Sequence, residues 1–219
     1  VKIAHHPDNS TLLSYAAGNL DEAFVTVVAA HLAICGACRS QVHKIEEIGG
    51  TMLQSLHPVA MDADALERVM SKLDGAGDHF VDNAAKAKQV GPSLPRPIAR
   101  LIGDGLDNVA WKTVAPGVAV HRLATSETAR GALTLLKIDS GKKIPEHGHS
   151  GAEMTLVLTG SYRDESGRFG PGDVADLDED IEHEPRVDSS EPCICVVAAE
   201  GPTRFKGLVG RILQPLVGI

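Results

Sequence analysis

The sequence predicts an α+β, multidomain chain, with a small α-helical bundle in its N-terminal part and an all-β barrel of the jelly-roll kind in its C-terminal part. Three observations predict this. Apolar residues recur at helical spacing as far as about residue 74. After about residue 108 they gather in short runs rich in β-branched residues, separated by Gly, Pro and Asp clusters. Between these regions lies a stretch of Gly, Ala, Asp and Lys that ends in Pro92-Ser-Leu-Pro-Arg-Pro97, which is linker composition. The expected division is therefore a helical domain over 1–75, a linker over 76–97 and a β domain over 98–219.

Asn9-Ser10 before Thr11-Leu-Leu-Ser-Tyr-Ala-Ala17, with Gly18-Asn19 after it, predict a short helix with a polar cap and a glycine stop. Asp21-Glu22 open a second helix, expected to run through residue 38. Val42, Ile45 and Ile48 continue the helical spacing until Gly49-Gly50, so 9–49 reads as three short helices. Such a bundle buries little apolar surface, and a metal clamp would help to hold it.

The ligands for that clamp stand in His31-Leu-Ala-Ile-Cys35-Gly-Ala-Cys38. On a helix, positions i, i+4 and i+7 share one face, so one imidazole and two thiols would converge. Tetrahedral zinc needs a fourth ligand. His5 and His6 are the candidates, and spacing does not separate adjacent residues. The plainer alternatives are a surface histidine beside two buried thiols, or a redox Cys-x-x-Cys pair.

A further amphipathic helix is expected over 61–74, with Leu66, Val69, Met70 and Leu73 on one face. It either closes the bundle or offers that face to a partner. The whole chain carries a formal charge of −8. Residues 1–74 hold five Lys/Arg against nine Asp/Glu. That balance argues against a grip on nucleic-acid phosphate and suits a basic protein partner. Four cysteines, in two pairs, do not make a secreted disulfide framework. No apolar run is long enough to span a membrane and no secretory leader pattern is seen, so the expected location is the cytoplasm.

In the C-terminal part, Val118–Leu123, Ala132–Ile138, Met154–Leu158 and Cys193–Val197 are the expected strands; Phe205–Ile219 reads as an apolar tail, with a packed helix favoured. Among the strands stands Gly141-Lys-Lys-Ile-Pro-Glu-His147-Gly-His149-Ser-Gly-Ala-Glu153, followed by Gly160. Two histidines two apart on a strand point the same way, and Glu153 enters after a tight turn. These ligands suit a first-row divalent metal, and His183 would supply a fourth. The plainer alternative is a pair of exposed turn histidines beside a surface Glu. Cys193 and Cys195 share one face of a strand, poorly placed to bond each other; core filling is the usual reason, a redox role the other.

The His-x-x-x-Cys-x-x-Cys run with an upstream His resembles the zinc-binding anti-sigma domain, and the resemblance implies His6, His31, Cys35 and Cys38 as the four zinc ligands. The second run matches the first cupin motif, Gly-x5-His-x-His-x3-Glu-x6-Gly, at every specified position. The second cupin motif is partly kept: Gly172 and His183 align, while Asp178 and Asp180 replace its Pro and Gly. Together, over nearly the whole length, the chain resembles ChrR-type anti-sigma factors. What this implies is an anti-sigma factor that sequesters an extracytoplasmic-function sigma factor through the zinc-bearing helices. The cupin domain, with a metal on His147, His149, Glu153 and His183, would be needed for release under singlet oxygen or organic peroxide stress. Zinc, manganese, iron and nickel all accept those ligands, zinc being the first expectation. The alternative is a metal-dependent cupin enzyme, a dioxygenase or isomerase, with Arg130, Arg163 or Glu182 contributing to substrate orientation.

Overall fold

The structure is a computed structural model that describes residues 2–75, 94–103 and 105–205. It comprises two compact units, one of Val1–Glu46 with Leu94–Ile219 and one of Glu47–Ser93. The expected linker lies outside the described residues as far as 93; its last residues open a helix instead.

In the larger unit, α1 spans Asn9–Ala16 and α2 spans Glu22–Ile34. Helix α1 begins one residue after Asp8, whose side chain makes no capping bond, so the expected cap at Asn9-Ser10 is corrected. Asp21 does cap α2, its carboxylate accepting from the Ala23 N–H. The expected continuous helix through residue 38 is also corrected. Cys35 takes an extended conformation (φ −100°, ψ 106°), and the chain turns by 116° into α3, Gly36–Gln54. Gly49-Gly50 do not stop α3, because nothing there forces a positive φ. Helix α4 is Arg96–Ile102, with Pro97 in its first turn, where a missing N–H costs nothing.

Among the described residues the barrel has eleven strands: β1 Lys112–Ala115, β2 Val118–Arg122, β3 Ala132–Ile138, β4 His147–Gly148, β5 Glu153–Thr159, β6 Tyr162–Asp164, β7 Gly167–Phe169, β8 Val174–Leu177, β9 Arg186–Val187, β10 Cys193–Ala199 and β11 Arg204–Phe205. Six of them form one sheet in the order β1-β2-β3-β10-β5-β8; β7-β6-β9 and β11-β4 form the smaller sheets. Phe205, expected to start a helical tail, pairs as a strand with His147; residues 206–219 lie outside the described residues.

The large sheet is apolar on both faces. In β10, Cys193, Cys195 and Val197 point into the barrel with Ile138, Val157, Tyr162 and Phe169. Val196 and Ala198 point outward, where Leu133, Leu135 and Leu156 join them. Against that outer face lies α2, with Phe24, Val27, Val28 and Leu32 buried, and Ile98 of α4 beside it. Each such side chain contributes roughly 1.5–3 kcal/mol on burial, enough to seat a helix of this length firmly. The Asp21 carboxylate ties the seam, accepting from the Arg130 and Gly131 N–H groups at 2.8 and 3.1 Å. Glu22 accepts from Ser126 in the same loop.

In the smaller unit, α3 runs out and α5 spans Ala65–Gly75, later than the expected start at 61. Leu66, Val69, Met70 and Leu73 are 49–73% exposed, so this apolar face is uncovered.

Candidate metal centres

The elbow at Cys35 builds the first cluster. His31 comes from the last turn of α2, Cys35 from the break and Cys38 from the first turn of α3, while His6 is delivered by the arm before α1. The ligand atoms of all four lie within 4.8 Å of one another. His31 Nε2 is 3.3 Å from Cys38 Sγ, and His6 Nδ1 is 3.5 Å from Cys35 Sγ and 3.4 Å from Cys38 Sγ. A nitrogen and a sulfur on one tetrahedral zinc stand about 3.5 Å apart, from bond lengths of about 2.0 and 2.3 Å, so the donor set fits that ion. His5, the other candidate, is elsewhere: its ring stacks on Phe169 at 4.2 Å between centroids.

His31 is fully buried, and its Nδ1–H donates to the Gly172 carbonyl at 2.9 Å, which aims the Nε2 lone pair at the cluster. Burial, with His6 beside it, holds His31 below the usual imidazole range and therefore neutral. Burial, then the neighbouring Cys35, pushes the Cys38 thiol up to about 12, so a cation bound here displaces that proton.

The second cluster is buried at one end of the barrel. His147 and His183 exchange both backbone hydrogen bonds, at 3.1 and 3.0 Å, across an isolated bridge, which sets their side chains together. Their Nε2 atoms are 3.1 Å apart, and with His149 they form a triad whose ligand atoms lie within 4.8 Å of one another. Two imidazole nitrogens on one cation stand about 3.0–3.3 Å apart, so this spacing also fits. His149 Nε2 is buried with no hydrogen-bond partner among the described residues, the condition of a lone pair reserved for an ion. Burial, then His183, holds His147 down at about 4, so it is neutral at physiological pH.

Each imidazole is held from behind. His147 Nδ1 donates to Pro145 O at 2.8 Å, and His183 Nδ1 lies 3.0 Å from Asp164 Oδ2. Asp164 is itself fixed by the β6–β7 turn, where its Oδ1 accepts from the Ser166 N–H. Glu153 Oε2 is 3.2 Å from His149 Nδ1, and the other oxygen accepts from Thr155. Burial opposes ionisation of Glu153, but the contact with His149 and the neighbouring histidines outweigh it. Glu153 thus sits beside the triad as an anion, against His149. Arg204 donates to the His149 carbonyl, holding that loop to β11.

The roles of Asp164, Arg204 and the Gly172 carbonyl escaped sequence reasoning, because each acts on a histidine from a segment distant in sequence, while Pro145, two residues from His147 in the recognised motif, acts through a backbone carbonyl that no side-chain pattern marks. Arg130, Arg163 and Glu182 are exposed. Clefts of about 390 and 230 Å³ lie at the α1–α2 loop and at Trp111, and neither is lined by a residue of either cluster. Cys193 and Cys195 are buried and unbonded, with sulfurs 3.6 Å apart. The contact with Cys193, burial and nearby Glu153 push the Cys195 thiol well above its usual value, which disfavours a reactive thiolate. No single described helix is long and apolar enough to cross a membrane.

Residues 104–202 match the family described as the ChrR cupin-like domain. The chain is 38% identical over 217 residues, 99% of each sequence, to the anti-sigma-E factor ChrR of Cereibacter sphaeroides. The crystal structure of Rhodobacter sphaeroides SigE in complex with the anti-sigma ChrR matches at TM-score 0.78 and 38% identity, over 90% of this chain and 100% of that one. An RmlC-like cupin from Ralstonia eutropha JMP134 matches 47% of this chain and 68% of that one at 24% identity and TM-score 0.40.

Proposed function

Because the chain belongs to the ChrR family of anti-sigma factors, we propose that it sequesters an extracytoplasmic-function sigma factor and releases it under oxidative stress. The observation that carries this is the end-to-end match, in sequence and fold, to a protein whose crystal structure is a complex with SigE. The surface chemistry agrees with it. Ile48, Met52 and Leu56 are exposed along the end of α3 and beyond it, as are Leu66, Val69, Met70 and Leu73 on α5, more apolar surface than a free helix pair should show. Acidic residues exceed basic ones by four in the first 74, nine against five, which complements a DNA-binding partner's basic surface.

Zinc on His6, His31, Cys35 and Cys38 holds the arm and the α2–α3 elbow together. Four protein ligands leave no open position, so its role is structural. A divalent cation in the barrel is held by His147, His149 and His183, with Glu153 as the anionic member of the site, and that centre takes part in release. Cys193 and Cys195 remain a secondary redox candidate. The enzymatic alternative would need a substrate cavity at the triad and a group there to act as general base.

Co-purification of the full chain with its cognate sigma factor, with metal analysis of the complex, tests the proposal. Replacing His147 and His149 together should leave sigma binding intact and abolish release by peroxide or singlet oxygen. Loss of binding in that variant would refute the division of labour, and steady turnover of a small substrate by the chain would favour the enzyme.

A further inference from the structure

We propose that the barrel turn Gly170–Asp173 is a positioning element of the helical metal site, with Asp173 placing His6 and the Gly172 carbonyl orienting His31. The proposal rests on the reading of His6, His31, Cys35 and Cys38 as a metal site.

The two cysteines are placed by local chain geometry alone, Cys35 by the extended elbow after α2 and Cys38 by the first turn of α3. The two histidines are not. His6 sits in an arm with no regular secondary structure, and the arm's backbone is held by one buried carboxylate. Asp173 Oδ1 accepts from the Ala4 and His5 N–H groups at 2.6 and 2.9 Å, and its Oδ2 accepts from the Gly170 N–H at 2.8 Å. The Val174 N–H then donates to the His5 carbonyl at 3.2 Å, so the arm lies along β8 at the edge of the large sheet. His6 is the next residue, and its Cα follows wherever this clamp puts His5.

Asp176 extends the same contact, its Oδ2 accepting from the Asp8 N–H and the Thr11 hydroxyl at 3.0 and 2.7 Å. Gly172 completes it. At φ +94°, a Cβ there would stand 2.9 Å from Ile3 Cγ1 and 3.3 Å from Ile34 Cδ1, so glycine lets the arm and the end of α2 close over the turn. Its carbonyl is then near enough to take the His31 Nδ1–H at 2.9 Å. One four-residue turn of the barrel therefore sets one imidazole ligand by its backbone path and the other by its tautomer and ring orientation. A hydrogen bond to the far nitrogen of a ligating histidine typically changes metal affinity by about 10–100-fold, and a displaced ligand costs at least as much.

The test uses the full chain and cobalt(II), whose thiolate charge-transfer absorption reports the cysteine-bearing site and is silent for the barrel histidines. Asp173→Ala should weaken cobalt at the thiolate site by about 10-fold or more, in competition with a chelator. Asp173→Asn, which keeps one oxygen for Ala4 and His5 but sets an N–H against Gly170, should fall between that and the parent. Asp188→Ala, which removes hydrogen bonds of the barrel to Ser161 and Arg168 without touching the arm, should leave the thiolate site at parental affinity. Parental affinity in the Asp173 variants overturns the proposal, and so does an equal loss in Asp188→Ala, which would mark a general effect of barrel stability. If Asp173→Ala does not fold, the asparagine variant decides by the same criterion. Cobalt binding by the unaltered chain without thiolate absorption would instead sink the underlying metal site.

Discussion

Replacing Asp21 by Ala probes the seam that joins α2 to the barrel. The carboxylate accepts three backbone N–H groups, from Ala23 at 3.2 Å, Arg130 at 2.8 Å and Gly131 at 3.1 Å. Loss of the helix cap costs about 1 kcal/mol. The two bonds to the β2–β3 loop add about 0.5–1 kcal/mol each, at the low end of the range because the site is half-exposed and water replaces part of what is lost. A total of about 2–3 kcal/mol lowers the melting temperature of a chain this long by about 5–10 °C. The effect is tied to pH. Burial works against the charge, but the N–H bonds from Arg130, Ala23 and Gly131 and the Arg130 charge outweigh it and hold Asp21 below the ordinary carboxylate range. A carboxylate depressed in the folded state contributes stability above its unfolded pKa of about 3.9, and that contribution disappears as pH falls through the folded value. Thermal unfolding of parent and variant, followed by circular dichroism, should therefore show the full gap at pH 7 and a narrowing gap from pH 5 downward. A gap under 1 °C at pH 7, or one that stays constant into acid, would refute the reasoning.

Three further outcomes are expected. Asp164→Ala removes the carboxylate behind His183 and should weaken metal at the barrel triad by about 10–100-fold in chelator competition, leaving the thiolate site unchanged. His6→Ala should abolish cobalt–thiolate absorption of the four-ligand kind while His5→Ala retains it, since His5 stacks on Phe169 instead; the reverse result would place the wrong histidine at the cluster. Gly160→Ala puts a methyl 2.6 Å from the Pro192 carbonyl oxygen and 2.8 Å from Cys193 Cα at φ +68°. Both contacts are backbone, so the turn must open; a loss of about 3 kcal/mol or more is expected in denaturant unfolding, and a value below about 1 would show that it relaxes.

Much of this protein is written locally. Ala132–Ile138 is a strand with the bounds its composition predicts, and Cys193–Val197 extends by two residues to Ala199. The spacing of His147, His149 and Glu153 could be recognised because the three lie within seven residues, across one turn between β4 and β5. The Gly160 at the end of that motif has its reason in the structure, where β10 passes too close for a side chain. The continuous helix expected through Cys38 failed for an equally local cause. The composition of 22–38 is helical throughout, and nothing in it marks the single extended residue at Cys35.

The remainder depended on segments meeting across the fold. Apolar alternation in β10 shows that both faces of the strand are apolar, but not what covers the outer one; that face is buried by Phe24, Val27 and Val28 of α2, from the other end of the chain. Helices α1 and α2 and the start of α3, which read as part of a separate domain, thus share one compact unit with the barrel, while residues 47–93 form the other. The choice of His6 over His5 follows from a clamp 168 residues away in sequence, between His5 and Asp173, and the pairing of Asp164 with His183 spans 19. Secondary-structure period and ligand spacing are set by neighbours within a turn or two and can be read from the sequence. Which carboxylate meets which N–H, and which imidazole meets which sulfur, is decided when distant surfaces pack, because only then does burial make an unpaired polar group costly.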